Sequence, residues 1–260
     1  MKVHRYAVSA GFGSLGASVS TAAAFGLASM GLVFALVIAA PTIHAEQDAS
    51  AGQAAEGAEA APTGPLSDER WAEFKEMLRA GEKRKVKKAL EQPGFVNRAT
   101  EDGRTPLFAI GHTDNEELIG LVMAAGPDTT VLDSEGKTAL IYVAKMGNAV
   151  ATRALLAKGA DADAVDPGGR GGLIYAAVEG NVEVTRALLE GGTDPNQRDR
   201  NGATALIYAA AKGFYAVPAL LLEFEADPNL RTRDGQTAVA LARRQNAQRV
   251  VRLLERHGAR

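Results

Sequence analysis

The sequence contains no cysteine. Disulfide frameworks, thiolate zinc sites and cysteine nucleophiles are therefore excluded. Histidine is nearly as scarce, with only His4, His44, His112 and His257 in 260 residues. The first two fall in the N-terminal apolar region and the other two lie far apart in the chain, so no pair is placed to share a metal or relay a proton. No P-loop, dinucleotide-binding fingerprint or H-E-x-x-H stretch occurs. Charge of one sign is missing too: 29 basic against 31 acidic side chains leave a formal net charge of -2. That balance removes the electrostatic argument for a nucleic-acid binder. What remains, 46% apolar and 23% charged, is the composition of a globular chain with one large domain or two small ones.

The N-terminus departs from that composition. After Lys2, His4 and Arg5 no formal charge occurs from Tyr6 to Ile43, and the densest apolar part runs from Ala22 to Ala40. A basic start, an apolar core and a small residue at Ala45 fit an export signal cut after Ala45. About 20 apolar residues also suffice for an uncleaved membrane anchor. In either case the charge order sends the remainder across the membrane. The expected location is therefore periplasmic or secreted, or alternatively anchored in the inner membrane with the rest of the chain in the periplasm. Residues 46–66 consist mostly of Ala, Gly, Glu and Pro. They have almost nothing to bury and are expected to form a flexible linker, with structure starting near Ser67.

From there the chain repeats. Gly103, Gly136, Gly169, Gly202 and Gly235 are 33 residues apart, and four residues after each comes Leu107, Leu140, Leu173, Leu206 or Val239. Such a fixed period is the signature of a solenoid. Thr105, Thr138, Thr204 and Thr237 stand where a first helix must start, so their hydroxyls are expected to accept from a free N–H of the first turn. Gly171 takes that place in one unit, and Pro106 occupies a position where a proline costs no helical hydrogen bond. Gly147, Gly180 and Gly213 are placed to stop the first helices in a left-handed conformation. Stretches such as 182–189 then carry apolar side chains at helical spacing, and Gly159 or Gly192 ends the second helix. The following Asp, Asn and Gly residues supply turn chemistry for a hairpin-like finger. One helix pair cannot cover its own apolar face. Stacked on its neighbours it can, and each buried Leu of a pair such as Leu155 and Leu156 then contributes roughly 1.5–3 kcal/mol.

The units "GKTALIYVAKMG" at 136–147 and "ALLAKGADAD" at 154–163, with their sister copies, resemble the ankyrin repeat over about residues 67–260. The resemblance implies an all-α solenoid of about six helix-turn-helix units joined by β-hairpin-like fingers, with units of about 67–99, 100–132, 133–165, 166–198, 199–231 and 232–260. Two departures stand out. Phe108, Ile141, Ile174, Ile207 and Ala240 occupy the family's usual His position, so apolar packing has to replace a Thr-to-His hydrogen bond. The family's Pro is kept only at Pro106. The degenerate first unit, with Phe74 as key residue and Gly81 as stop, and the last unit, ending without a finger, read as caps.

Few residues suggest chemistry beyond packing. Asp161, Asp163 and Asp166 are spaced in a way that suggests calcium, but the rest of a calcium loop does not follow, and the 33-residue frame makes them finger residues. Tyr142, Tyr175 and Tyr208 form a column that is either a binding face or packing between first helices, the latter being expected. Pro218 falls in the first turn of a second helix, where its missing N–H is tolerated. The basic run at 83–88 reads as a solvated cap helix, or as a lipid contact if the chain stays anchored.

In proteins that resemble this one, partners bind the inner groove of finger tips and first helices. The frame places there Leu132, Ser134, Lys137, Lys145 and Met146, then Pro167, Arg170, Val178 and Glu179. Arg198, Arg200, Asn201, Lys212, Arg231, Arg233, Gln236 and Arg244 follow, so the groove turns basic toward its C-terminal half. Acidic side chains outnumber basic ones 20 to 12 between residues 101 and 234, which makes those arginines a local concentration. Either they pair with Asp199 and Asp234 or face water, or they meet an acidic partner through bidentate forks. The expectation is a non-catalytic, exported, bacterial-type binding module without cofactor, monomeric, whose partner is another protein and not nucleic acid. The alternative is a membrane-tethered structural or envelope scaffold, in which the apolar N-terminus is retained; an enzyme with a site assembled between repeats is the less favoured reading, since no nucleophile, base or ligand set converges in the sequence.

Overall fold

The computed structural model describes residues 64–260. The expected signal or anchor at 1–45, and the linker up to residue 63, lie outside the described residues. Those described form twelve α-helices in six antiparallel pairs: α1 (Asp68–Arg79) with α2 (Lys83–Leu90), α3 (Pro106–Ala109) with α4 (Glu116–Ala124), and α5 (Ala139–Met146) with α6 (Ala149–Ala157). The remaining pairs are α7 (Gly172–Glu179) with α8 (Val182–Glu190), α9 (Ala205–Lys212) with α10 (Ala216–Glu223), and α11 (Ala238–Arg244) with α12 (Gln248–Arg256). First helices stack in the series α5, α7, α9, α11, and second helices in the series α4, α6, α8, α10. Contacts run between neighbours, which is the solenoid that the 33-residue period predicts.

The start of each first helix shows how the local sequence acts. Thr138, Thr204 and Thr237 cap α5, α9 and α11, their hydroxyls accepting from the N–H groups of Ile141, Ile207 and Ala240. Thr105 does not, contrary to expectation. The N–H of Phe108, which its hydroxyl would receive, already donates to the Thr105 carbonyl at 3.0 Å. The helix opens with a tight three-residue bond and finishes as a 3-10 turn at Ile110–His112. The start at Gly171 tightens in the same way, Ile174 N–H donating to the Gly171 carbonyl at 3.2 Å where no hydroxyl exists.

Gly147, Gly180 and Gly213 stop α5, α7 and α9 with φ of 82°, 72° and 75°. In the last unit Asn246, at φ 56°, takes that place, asparagine being the usual substitute for glycine there. The residue after the stop is a second device, one that the repeat pattern did not single out. Asn148 and Asn181 cap α6 and α8 by accepting from Ala151 and Val184 N–H. Their amide groups also reach back to the preceding unit, Asn148 to the carbonyl of Thr113 at 2.7 Å and Asn181 to that of Gly147 at 3.2 Å.

The fingers are minimal, with single antiparallel bridges at Leu132–Thr138, Val165–Gly171 and Arg231–Thr237. Neighbouring fingers are joined main chain to main chain: Ser134 N–H donates to Asp102 O, Arg200 N–H to Gly168 O, and Arg233 N–H to Asn201 O. Pro167 occupies the equivalent position of the remaining finger and has no N–H to give. Its ring instead lies against Gly136, where an added Cβ would come within 2.7 Å of it.

The core runs the length of the stack between the two helix series. Phe108, Ile141, Ile174 and Ile207, in place of the usual histidines, are at most 3% exposed. Ala240, on the last of the described first helices, is exposed. Pro218 is buried within the first turn of α10. The expected start near Ser67 needs one adjustment: Leu66, the last linker residue, is 1% exposed and its N–H donates to the Ala99 carbonyl. One apolar side chain next to the α1 cap is enough to pin it.

Candidate protein-binding face

The fingers and first helices present one continuous face, and its groups are of three kinds. Toward the N-terminal half it exposes apolar side chains, Leu132 at 53%, Met146 at 46% and Val165 at 45%. Val165 was not among the sequence candidates, although the 33-residue frame from Leu132 leads directly to it. Single exposed apolar residues are ordinary; three on adjacent fingers and a first-helix end are a feature.

The second kind is a set of internal ties. Tyr175 Oη donates to Asp166 Oδ2 at 2.6 Å, and Tyr208 Oη to Asp199 Oδ2 at 2.7 Å. The tyrosine column thus packs against the core, as expected, and Tyr175 and Tyr208 also hold their fingers to the helix that follows. Burial first, and then the Asp199 hydrogen bond, push the Tyr208 hydroxyl up to about 12. Burial would raise the Asp166 carboxyl, but hydrogen bonds from Tyr175 and Arg170 outweigh it and hold the group below the usual carboxylate range. Asp161 and Asp163 accept finger N–H groups, from Asp163 and Asp194 respectively, so the aspartates of "DADAVD" act as finger residues.

The third kind is the cations, and the structure sorts them. Lys137 is not on the open face: it is 5% exposed and pairs with Glu135. Arg170 folds onto Asp166 at 3.0 Å and lies over the Tyr175 ring. Arg198 donates to the carbonyls of Gly202 and Arg231, and Arg231 to that of Gly235. Neither pairs with Asp199, whose oxygens are taken by Tyr208 and by the N–H groups of Asn201 and Ala203. Arg200, Arg233, Lys212 and Arg244 are exposed, as are Lys145, Glu179, Asn201 and Gln236. Away from this face, the basic run at 83–88 forms α2, where Lys83, Lys85 and Lys87 face Glu117, Glu82 and Glu91.

His112 and His257 lie far apart along the stack, in the second and last of the described units. The arrangement is that of a rigid repeat scaffold with an open face and no converging nucleophile, base and oxyanion donor among the described residues. The chain belongs to the ankyrin repeat family. The family described as "Ankyrin repeats (3 copies)" matches residues 76–166, 107–199 and 173–260. No curated protein matches the chain. Among solved structures, an ankyrin repeat domain from Acinetobacter baumannii is similar, with 28% identity and a TM-score of 0.65 over 72% of this chain and 98% of that one. Ankyrin repeats are in general modules for binding other proteins.

Proposed function

We propose that this chain is an exported, non-catalytic adaptor that binds another protein through the face of fingers and first helices. The observation that supports it most is the make-up of that face: exposed Leu132, Met146 and Val165 followed by Arg200, Lys212, Arg233 and Arg244, whose charged side chains make no hydrogen bond among the described residues. Apolar anchors beside free arginines suit a protein surface with an acidic margin. Lys145, Glu179, Asn201 and Gln236 border it. Arg198, Arg231, Arg170 and Lys137 shape it from within. The uncharged run from Tyr6 to Ile43 behind a basic start supports export to the periplasm or beyond. The same run favours one alternative, retention as an inner-membrane anchor that tethers the repeats as an envelope scaffold.

The test is a crosslinking capture from intact cells with the full chain and with Arg200→Glu/Arg233→Glu, which leaves the carbonyl-bound Arg198 and Arg231 in place. Expected are a partner with the wild type, none with the variant, and a recovered chain beginning at Glu46. Capture that ignores the variant would refute the basic groove. A recovered chain that keeps residues 1–45 would select the tethered alternative.

A further inference from the structure

The tie between finger and tyrosine is broken in one unit. Asp133 and Tyr142 stand in the same relation as Asp166 and Tyr175 or Asp199 and Tyr208, yet the Tyr142 hydroxyl lies 3.3 Å from His112 Nε2 instead. Asp133 Oδ2 is left buried and without a hydrogen-bond partner. On the other side of the His112 ring, Arg79 Nη2 lies 3.1 Å from Nδ1. A guanidinium only donates, so Nδ1 accepts. Burial, and then the charges of Arg79, Lys75 and Arg104, lower the ring to about 4, so it is neutral near pH 7 and carries its proton on Nε2. That proton goes to Tyr142 Oη, and the hydroxyl's own hydrogen has no acceptor among the described residues.

Arg104 sits in the same place. Its guanidinium lies 6.0 Å from the Trp71 ring centre and 5.5 Å from that of Tyr142. Asp133 and Glu135 approach it only to 3.9 Å, too far for a hydrogen bond, and its buried Nε has no partner. Lys75 Nζ stands 3.9 Å above the Trp71 ring. The guanidinium lies between two aromatic faces with its side chain 25% exposed, and beyond the two long ion pairs to Asp133 and Glu135 it makes no hydrogen bond among the described residues. The acidic groups nearby are otherwise placed: Asp133 is buried, Glu135 is paired with Lys137, and Glu76 lies near Arg79.

We propose that Arg104 and Tyr142, walled by Trp71, form a receptor for one carboxylate side chain of the partner protein. The groups there without a hydrogen-bond acceptor, the Arg104 guanidinium and the Tyr142 hydroxyl, are donors, so the complement is an anionic acceptor. With Nε buried toward Asp133, the two Nη groups of the guanidinium match a carboxylate bidentately, and the Tyr142 hydroxyl adds a third donor. This inference rests on the protein-binding reading and gives it a second, N-terminal contact point on the same face as Leu132 and Met146.

Trp71 is the only tryptophan in the chain, so its fluorescence reports this site directly. The full chain is titrated with hexaglutamate and with hexalysine. The expected result is a saturable change with hexaglutamate alone. Arg104→Gln should weaken it at least tenfold and Arg104→Lys, which keeps the charge and loses the fork, by less. Arg200→Glu/Arg233→Glu should leave the Trp71 response in place. Circular dichroism confirms that each variant is folded. No saturable change, an equal response to hexalysine, an undiminished response in Arg104→Gln, or a response to inorganic phosphate and not to hexaglutamate would each overturn the assignment. The two readings fail separately: a wild-type chain that captures no protein in cells refutes the adaptor, whereas capture with an unresponsive Trp71 refutes only this receptor.

Discussion

Replacing Asn148 with alanine tests whether the residue after each helix stop binds units together or only caps a helix. Asn148 is 5% exposed. Its Oδ1 accepts from Ala151 N–H at 2.8 Å, a cap whose loss costs about 1 kcal/mol. Its Nδ2 donates to Thr113 O at 2.7 Å and lies 3.3 and 3.4 Å from the carbonyls of Ile110 and Gly111. Removing that donor leaves a buried acceptor unmatched, about 1–3 kcal/mol more. The total of about 2–4 kcal/mol corresponds to a fall in Tm of roughly 5–15 °C for a domain of this size. Asn115 supplies the comparison, because it caps α4 through Glu117 and Leu118 N–H and is exposed. Asn115→Ala should cost only the cap, a fall of about 2–4 °C. Asn148→Asp keeps the cap but points a carboxylate at three carbonyls, so it should be no more stable than Asn148→Ala. Thermal unfolding followed by far-UV circular dichroism measures all three. If Asn148→Ala melts no lower than Asn115→Ala, the inter-unit bonds add nothing and the reasoning fails.

Other perturbations follow from the same geometry. Glu225 occupies the position of Gly159 and Gly192 with φ 62°, so Glu225→Gly should relieve about 1 kcal/mol of strain and raise Tm by a few degrees. A lower Tm would show that the side chain, not the backbone, matters there. Gly136→Ala meets both a φ of 73° and the Pro167 ring at 2.7 Å, and a loss of at least 1–2 kcal/mol in denaturant unfolding is expected, to the order of magnitude. An unchanged midpoint would show that the finger yields. His112, lowered to about 4 in the folded chain from an ordinary value of 6.5, disfavours its proton when folded. Its contribution is therefore present above pH 6.5 and lost as pH falls from about 6.5 to about 4. At face value the shift is worth about 3 kcal/mol, and solvent screening of the half-exposed ring reduces this to about 1–2 kcal/mol. His112→Gln should flatten that limb of the stability curve, and an identical limb in both proteins would contradict it. Deleting residues 166–198 in frame should leave a folded, shorter stack by circular dichroism; an unfolded product would oppose the nearest-neighbour architecture.

The frame of the fold was legible because a 33-residue register demands a residue type at each position: a hydroxyl at Thr138, an absent side chain at Gly147, an apolar one at Leu140. What escaped was the geometry inside a position. Thr105 has the right hydroxyl, but the tight first turn had already taken the N–H it would serve. Asn148 and Asn181 recur at the period, yet an asparagine after a glycine reads as a loop until its amide is seen against the carbonyls of the unit before. On the binding face, spacing placed Lys137 and Arg200 alike among the candidates. A side chain's direction is set by its partners: Glu135 draws Lys137 inward, whereas Arg200 has no such partner. The receptor around Arg104 was hidden for a different reason, since it comes from a tyrosine that keeps its place in the column and turns to a histidine in the unit before.

Pro167 carries a consequence beyond its own finger. Every other pair of neighbouring fingers from the second to the last unit shares a main-chain hydrogen bond, and between Gly136 and Pro167 the described residues share none. At that one boundary a ring resting on a glycine takes the place of the finger bond, while the two units stay tied by the Asn181 amide on the Gly147 carbonyl and by α5 packed against α7. The aromatic receptor of Arg104 lies on one side of that boundary and the free arginines at 200 and 233 on the other, so a partner that held both would bridge the one junction at which neighbouring fingers are not bonded to each other.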